Sequence, residues 1–300
     1  MADVSASVVI PVLNGEDTIG DLLAALTRQR RAAGVDELIV VDNGSTDRTL
    51  EIAAKYNIAL LHEQKRGPSA ARNRGLYHSQ KEVVAYLDAD TVPTRGWIGE
   101  ICTLFEDPEV LIVSGKTISY PPSTPAERFI ACLGPLQPEY DLGRKIFPFM
   151  SSRNLAVRRE AALSIGGWAE DMPTAEDMDF CTRMRKAYGA EVVFQPDAVV
   201  FHKERKTDEQ LKKQAWSYGE GLADMYLRYP QDASWGIKNS LLVTGAIFKR
   251  TIQPEVMRVG QLFGLVHDDQ REFFSYLRFW SYWYWRGFFS MYRIKGRKSL

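Results

Sequence analysis

Val83-Val84-Ala85-Tyr86-Leu87-Asp88-Ala89-Asp90 is an apolar run closed by two carboxylates one residue apart. A short continuous apolar run with a polar end predicts a strand buried on both faces, the kind that makes up parallel sheets. Such a strand delivers Asp88 and Asp90 to the carboxyl edge of its sheet as hard oxygen ligands. Magnesium and manganese take ligands of that type and complete their shells with phosphate oxygens. An Asp-x-Asp pair alone is common in proteins, so its surroundings decide the reading.

Upstream, strand-like and helix-like segments alternate. Ser7 to Pro11 predicts a strand, and Thr18 to Arg31 a helix with Leu22, Leu23 and Leu26 on one face. Glu37 to Val41 is the next strand and ends at Asp42, and Asp47 is the expected N-cap of a helix from Arg48 to Tyr56. Ala59 to His62, Ser69 to Ser79 and Val83 to Leu87 continue the pattern as strand, helix and strand. The alternation implies right-handed βαβ units, an α/β class and a mostly parallel central sheet flanked by helices. Ligands of such sheets bind at strand carboxyl ends near a switch in strand order. Asp42 and Asp88 both occupy strand ends.

Downstream the pattern loosens from Tyr120 to Pro148, a stretch carrying Pro121, Pro122, Pro125, Pro135, Pro138 and Pro148. Order returns at Leu155. Glu176 to Tyr188 predicts a helix stopped by Gly189, Val192 to Phe194 and Val199 to Phe201 predict strands, and Thr207 to Tyr229 has a helical period. The expected division is residues 1–205 as the α/β domain (halves 1–120 and 121–205) and 206–300 as a helical, aromatic-rich extension.

Bulk properties exclude several classes. Lysine plus arginine and aspartate plus glutamate number 38 each, so no net field draws nucleic acid to the 300-residue chain. Three cysteines without ligand spacing argue against a disulfide framework or a zinc site. The start lacks a basic, apolar leader pattern, and no stretch reaches the ~18–20 uncharged residues of a spanning helix. The expectation is a reducing, cytoplasmic location.

Further clusters carry chemistry. Asp42-Asn43-Gly44-Ser45-Thr46-Asp47 offers a carboxylate to a nucleobase imide or a ribose. Gly67-Pro68-Ser69-Ala70-Ala71-Arg72 opens a helix, whose N-terminus and guanidinium suit a phosphate or a uracil-like edge. His202 would add a metal ligand, and Lys203 and Arg205 would neutralise a diphosphate. Glu176-Asp177-Met178-Asp179 crowds acids at a helix start, where like charge raises a carboxyl pKa toward that of a general base. The same acids equally complement the helix dipole.

Taken in order, Pro11-Val12-Leu13-Asn14, Val41 to Asp47, Gly67 to Asn73, Asp88-Ala89-Asp90, Asn154-Leu155-Ala156-Val157-Arg158-Arg159, Gly166-Gly167-Trp168, Glu176-Asp177 and His202 resemble the family 2 nucleotide-sugar glycosyltransferases of the GT-A fold. The resemblance spans roughly residues 5–205. It implies a nucleotide-binding α/β fold, a divalent metal (Mn2+ or Mg2+), and transfer with inversion from a nucleoside-diphosphate sugar, with a UDP-sugar favoured, to a glycan or lipid-linked acceptor. It implies Asp177 as base, Pro11, Asn14, Asp42, Gly67, Arg72, Asp88 and Ala89 around the nucleotide, and Asp90 and His202 on the metal. Glu176, Asn154, Lys203 and Arg205 would meet donor, acceptor or diphosphate. Where the family often has a small residue before the asparagine, this chain has Arg153, which would contact an acidic group on donor or acceptor. Two other readings stay open: a non-catalytic sugar-nucleotide-binding protein of the same fold, and a nucleotidyltransferase.

Near the end, Phe279 to Phe289 is dense in aromatics and precedes Arg293, Lys295, Arg297 and Lys298. Tryptophan and tyrosine favour the bilayer interface and cations favour anionic headgroups, so residues 270–300 read as a peripheral contact with the inner face of a cell membrane. Leu241 to Phe248 is a second apolar stretch. Packing of the aromatic run on the protein, or in a homodimer, is the alternative.

Overall fold

Along β1 (Ala6–Val12), alternate side chains point to opposite faces of the sheet: Val8, Ile10 and Val12 enter one apolar cluster and Val9 the other. In a computed structural model, which describes residues 4–30, 35–133, 147, 150–233, 237–262, 265 and 267–296, this strand lies inside an eight-stranded sheet. The chain divides into two compact units, Met1–Tyr120 with Leu136–Lys203, and Pro121–Pro135 with Glu204–Leu300.

The first unit holds all eight strands, in the order β3-β2-β1-β4-β7-β6-β8-β5. The others are β2 (Val35–Asp42), β3 (Ala59–His62), β4 (Val83–Leu87), β5 (Thr91–Pro93), β6 (Ile112–Ser119), β7 (Asn154–Arg158) and β8 (Val192–His202). β1 pairs in parallel with β2 and β4, and β2 with β3, as the βαβ pattern predicts. The far half is mixed: β7 runs antiparallel to β4 and β6, and β5 antiparallel to β8. Every residue of β4 is fully buried, as its unbroken apolar run requires.

Helices α1 (Ile19–Arg30), α2 (Thr49–Ala53), α3 (Pro68–His78), α4 (Trp97–Leu104), α6 (Arg159–Ser164) and α7 (Glu176–Tyr188) belong to this unit. One apolar cluster gathers Leu22, Leu26, Trp97 and Phe105, and the other Leu76, Tyr86, Trp168 and Phe180. α7 ends at Gly189, whose φ of 65° is the left-handed cap that glycine adopts without steric penalty.

Two local expectations need correcting. The helix after Asp47 is shorter than its periodicity implies, and Arg48 holds the N-cap position; Asp47 instead accepts from the Thr49 and Glu16 N–H groups. The two strands expected at 192–194 and 199–201 are one strand, because the register against β6 jumps from Gly115↔Gln195 to Lys116↔Val199 and absorbs Pro196 in a bulge.

The second unit is helical: α5 (Pro125–Leu133), α8 (Asp208–Arg228), α9 (Ile237–Leu262) and α10 (Asp268–Gly296). α5 falls in the loosened proline stretch and packs with this unit, although the sequence division assigns it to 121–205. Pro135, Pro138 and Pro148 lie outside the described residues. Thr207 and Gln210 close a capping box at the start of α8. α8 and α10 approach closely at glycines: a Cβ on Gly219 would lie 1.9 Å from the Tyr284 carbonyl oxygen, and one on Gly287 would lie 2.1 Å from that of Trp216.

Several aromatics of α10 face inward, while Tyr282 and Phe289 are exposed. Phe129 of α5 lies against Phe273, Tyr276 and Trp280, at ring distances of 5.6, 5.7 and 6.1 Å, and Phe288 is fully buried. Arg297 and Lys298 lie outside the described residues. No described helix is long and apolar enough to cross a membrane.

Candidate active site

The carboxyl edge of β4 collects the chemistry. β4 delivers Asp88, and a tight turn follows in which the Asp88 carbonyl accepts from the Thr91 N–H at 3.1 Å and the Thr91 hydroxyl at 2.7 Å. Because β7 is antiparallel to β4 with Leu87 opposite Asn154, the residues just before β7, Ser152 and Arg153, come to the same edge. β8 pairs with β5 so that His202 stands opposite Thr91, and His202 Nε2 lies 3.4 Å from Asp90 Oδ1. The His202 side chain is buried and that of Asp90 is partly exposed.

Arg72 ties this edge to α7. Its guanidinium donates to Asp88 Oδ1 at 2.9 Å and to Glu176 Oε1 at 2.7 Å, and it sits 5.1 Å from the Trp168 ring centroid. Trp168 in turn stacks on Phe180 at 4.4 Å. Burial works against the charge, but the two carboxylates hold Arg72 protonated above its ordinary value. The cation expected to meet a phosphate or base is therefore committed to two acids, and it fixes their positions.

Asp177 follows Glu176 in the first turn of α7. Met178 N–H donates to its Oδ1 at 2.8 Å, and the Ser152 N–H donates to the same carboxylate. Burial, and then the adjacent Glu176 charge, push its carboxyl up to about 7. A carboxylate with that affinity for protons is suited to take one from a hydroxyl near neutral pH.

At the end of β2, the buried Asp42 accepts from the Gly44 and Ser45 N–H groups at 3.1 Å each and lies 3.4 Å from His62 Nδ1. Burial raises its carboxyl, but these donors outweigh that and hold it below its ordinary value. Asn14, at a φ of 53°, accepts from the Thr46 N–H at 2.9 Å and so clamps the loop after β1 to the loop after β2. Gly67 is the N-cap of α3, and its N–H donates to Asn43 Oδ1 at 2.8 Å. Pro11 lies in β1 opposite Val41, and Ala89 sits between the two strand-end acids.

Other expected contacts are redirected. Asn154 is buried and fully engaged: it accepts from Trp97 Nε1 at 2.8 Å and donates to the carbonyls of Lys116 and Ala198 at 3.0 and 2.9 Å. It braces β6, β8 and α4. Lys203 donates to Asp21 Oδ2 at 2.8 Å, so its charge is shared with α1. Arg205 belongs to the second unit. Arg153 is buried, with Nε donating to Ser151 Oγ at 2.8 Å. The sequence reading did not anticipate Ser152, whose role is a backbone one without a side-chain signature. It also missed Asn73, which accepts from the Trp168 N–H at 2.7 Å and donates to Glu170 Oε1 at 2.7 Å.

The donor set fits a divalent ion as a partial shell. Asp90 and His202 are adjacent, and among the described residues no group of three or more His, Cys, Asp or Glu side chains converges. A carboxylate and an imidazole leave positions for diphosphate oxygens and water, the usual arrangement when a metal is bound together with its phosphate substrate. The imidazole suits manganese better than magnesium.

Comparison with known proteins gives the family and the fold. The chain is 32% identical over 237 residues to the pre-mycofactocin glycosyltransferase of Mycobacterium tuberculosis, covering 75% of this chain and 48% of that protein, so it spans about half the relative's length. It is 30% identical over 229 residues to the glycosyltransferase AglE of Haloferax volcanii, covering 74% of each. Its fold is similar to that of the mannosyltransferase PcManGT from Pyrobaculum calidifontis, determined in complex with GDP-Man and Mn2+, with a TM-score of 0.67, 18% identity, and 96% and 87% of the two chains covered. Residues 7–166 match the profile described as Glycosyl transferase family 2. That span contains the strand-end acids Asp42, Asp88 and Asp90 and leaves Asp177 and His202 beyond it; with just over half of the chain matched, the protein belongs to glycosyl transferase family 2.

Proposed function

We propose that this chain transfers a sugar, with inversion, from a nucleoside-diphosphate donor to a hydroxyl of a glycan or lipid-linked acceptor. The observation that carries the reading is Arg72, which holds the strand-end acid Asp88 and the helix-start acid Glu176 so that Asp177 belongs to the same charge network as the Asp88-Ala89-Asp90 edge. In this reading Asp177 takes the acceptor hydroxyl's proton as that oxygen bonds to the anomeric carbon. The bond from that carbon to the diphosphate breaks, and its electron pair leaves with the nucleoside diphosphate. Asp42 and the loops clamped by Asn14 and Asn43 line the nucleoside side of the edge. Asp90 and His202 would hold a divalent ion, which when bound supplies positive charge against the departing diphosphate. Arg153 is proposed to meet an acidic group on donor or acceptor.

A UDP-sugar is the favoured donor. The likeness to a protein holding GDP-Man is one of fold, and it keeps GDP-sugars in the test. That test is a screen of UDP-, GDP- and dTDP-sugars for thermal protection with and without Mn2+, followed by assay of nucleoside diphosphate release. Protection by one nucleotide class, deepened by Mn2+, is expected. Protection without any release or transfer over a range of acceptors would favour the non-catalytic reading.

A further inference from the structure

Between residues 248 and 261, the described side chains of helix α9 are amphipathic in the reverse of the usual sense. Phe248, Ile252, Val256 and Val259 recur at i, i+4, i+8 and i+11, so they form one stripe along the helix. They are 66, 43, 57 and 54% exposed. The opposite face carries Arg250, Gln253, Pro254, Met257 and Gln261, which are partly or fully buried. Arg250 donates from that face to Ser281 Oγ at 2.6 Å. A helix packed on a soluble unit ordinarily buries its apolar stripe and wets its polar one. Leu265, just beyond the helix, is 78% exposed.

The charges beside the stripe are cationic. At 3.6 residues per turn, Lys249 flanks one side and Arg258 the other, and both are exposed. The one acid of the described outer face, Glu255, is met by Arg278 at 3.3 Å and Arg258 at 3.8 Å, so with Lys249 three cations stand against one acid and the face keeps a net positive charge. We propose that this outward stripe of α9 seats the protein on an anionic phospholipid surface, with Lys249 and Arg258 at the headgroups.

The geometry favours lipid over a second copy of the chain. From Phe248 to Val259 the stripe rises about 17 Å, and its four side chains, 43–66% exposed, present on the order of 400 Å² of accessible surface. A stable protein interface buries about 800 Å² on each partner. An interfacial helix needs no such area, because it inserts its apolar face at the headgroup–acyl boundary and gains from each cation near an anionic surface. The proposal also moves the membrane contact away from the aromatic run of α10, whose Phe273, Tyr276, Trp280 and Phe288 are packed within the second unit.

The experiment is flotation of the full chain with phosphatidylcholine vesicles, with and without about 30 mol% phosphatidylglycerol, read without sugar nucleotide so that it is independent of the transferase reading. The chain is expected to float with the anionic vesicles and to release as salt rises. The double variant Phe248→Ser, Ile252→Ser should lower the vesicle-bound fraction about tenfold or more while its thermal melt matches wild type, since both side chains already face water. Lys249→Glu with Arg258→Glu should abolish the preference for anionic lipid. Tyr282→Ser with Phe289→Ser, exposed aromatics of α10, should leave flotation unchanged. Equal flotation of the Phe248/Ile252 variant and wild type would overturn the proposal, as would loss of flotation confined to the Tyr282/Phe289 variant. So would a wild-type dimer in sedimentation velocity that the Phe248/Ile252 variant dissolves without any vesicle binding, which would assign the stripe to a second copy.

Discussion

Arg72 and Asp88, 16 residues apart in sequence, meet at 2.9 Å on the carboxyl edge of β4, and the same guanidinium reaches Glu176 across 104 residues. One buried cation thus neutralises an acid from each side of the edge and fixes Glu176 at the start of the helix that carries Asp177. Removing it would leave two acids facing each other with Asp177 beside them.

Arg72→Ala should therefore destabilise the fold by about 3 kcal/mol, the lower end for breaking a buried ion pair, because Asp88 is partly exposed. Chemical denaturation at neutral pH measures this. A loss below about 0.5 kcal/mol, within the range of ordinary surface substitutions, would show that the pair carries no structural load.

Asp177→Asn should abolish turnover and leave nucleotide affinity intact, read by product formation beside calorimetric titration. In the wild type, turnover should fall about tenfold per pH unit below about 7, as the base becomes protonated.

The same carboxyl makes a stability prediction. The folded state holds a proton on Asp177 up to about pH 7, whereas the unfolded chain releases it near 3.8. The folded state thus binds more protons in this window, so the Asp177 contribution falls as pH rises from about 4 to about 7 and is level above it. Melting curves across that range should decline less for Asp177→Asn than for wild type.

Asp90→Ala should weaken nucleoside diphosphate binding in Mn2+ by about tenfold or more and leave metal-free binding unchanged. His202→Ala should act in the same direction. Titrations with and without EDTA separate the two states, and equal losses in both would remove these residues from the metal.

Asn154→Ala should cost about 3 kcal/mol of stability, since three hydrogen bonds go and the Trp97 indole N–H is left buried without its acceptor. Donor preference of the folded fraction should not change. A changed preference with an unchanged melt would restore Asn154 to the sugar site.

The sequence alone determined β1 to β4 and the helices α1, α3 and α7 of the first unit, whereas β5, β6, α4 and α6 carry no pattern it could read. Val83 to Leu87 is bounded as its polarity pattern predicts, because a buried strand must be apolar and must end where polar groups meet water; the half-buried Ala59 to His62 also keeps its predicted bounds. Gly189 stops α7 for an equally local reason, since its backbone adopts a left-handed conformation. Asp88 and Asp90 at a strand end were legible in the same way. Tertiary structure decided what those groups touch: Arg72 between two acids, Asn154 as a brace, Lys203 on α1, and Phe273, Tyr276, Trp280 and Phe288 of α10 packed inside their unit while α9 keeps its apolar stripe in water. Periodicity reports which face of an element is apolar. It carries no information about which distant element covers that face, or which buried charge a side chain must neutralise, because those energies arise only when segments far apart in the chain are brought together.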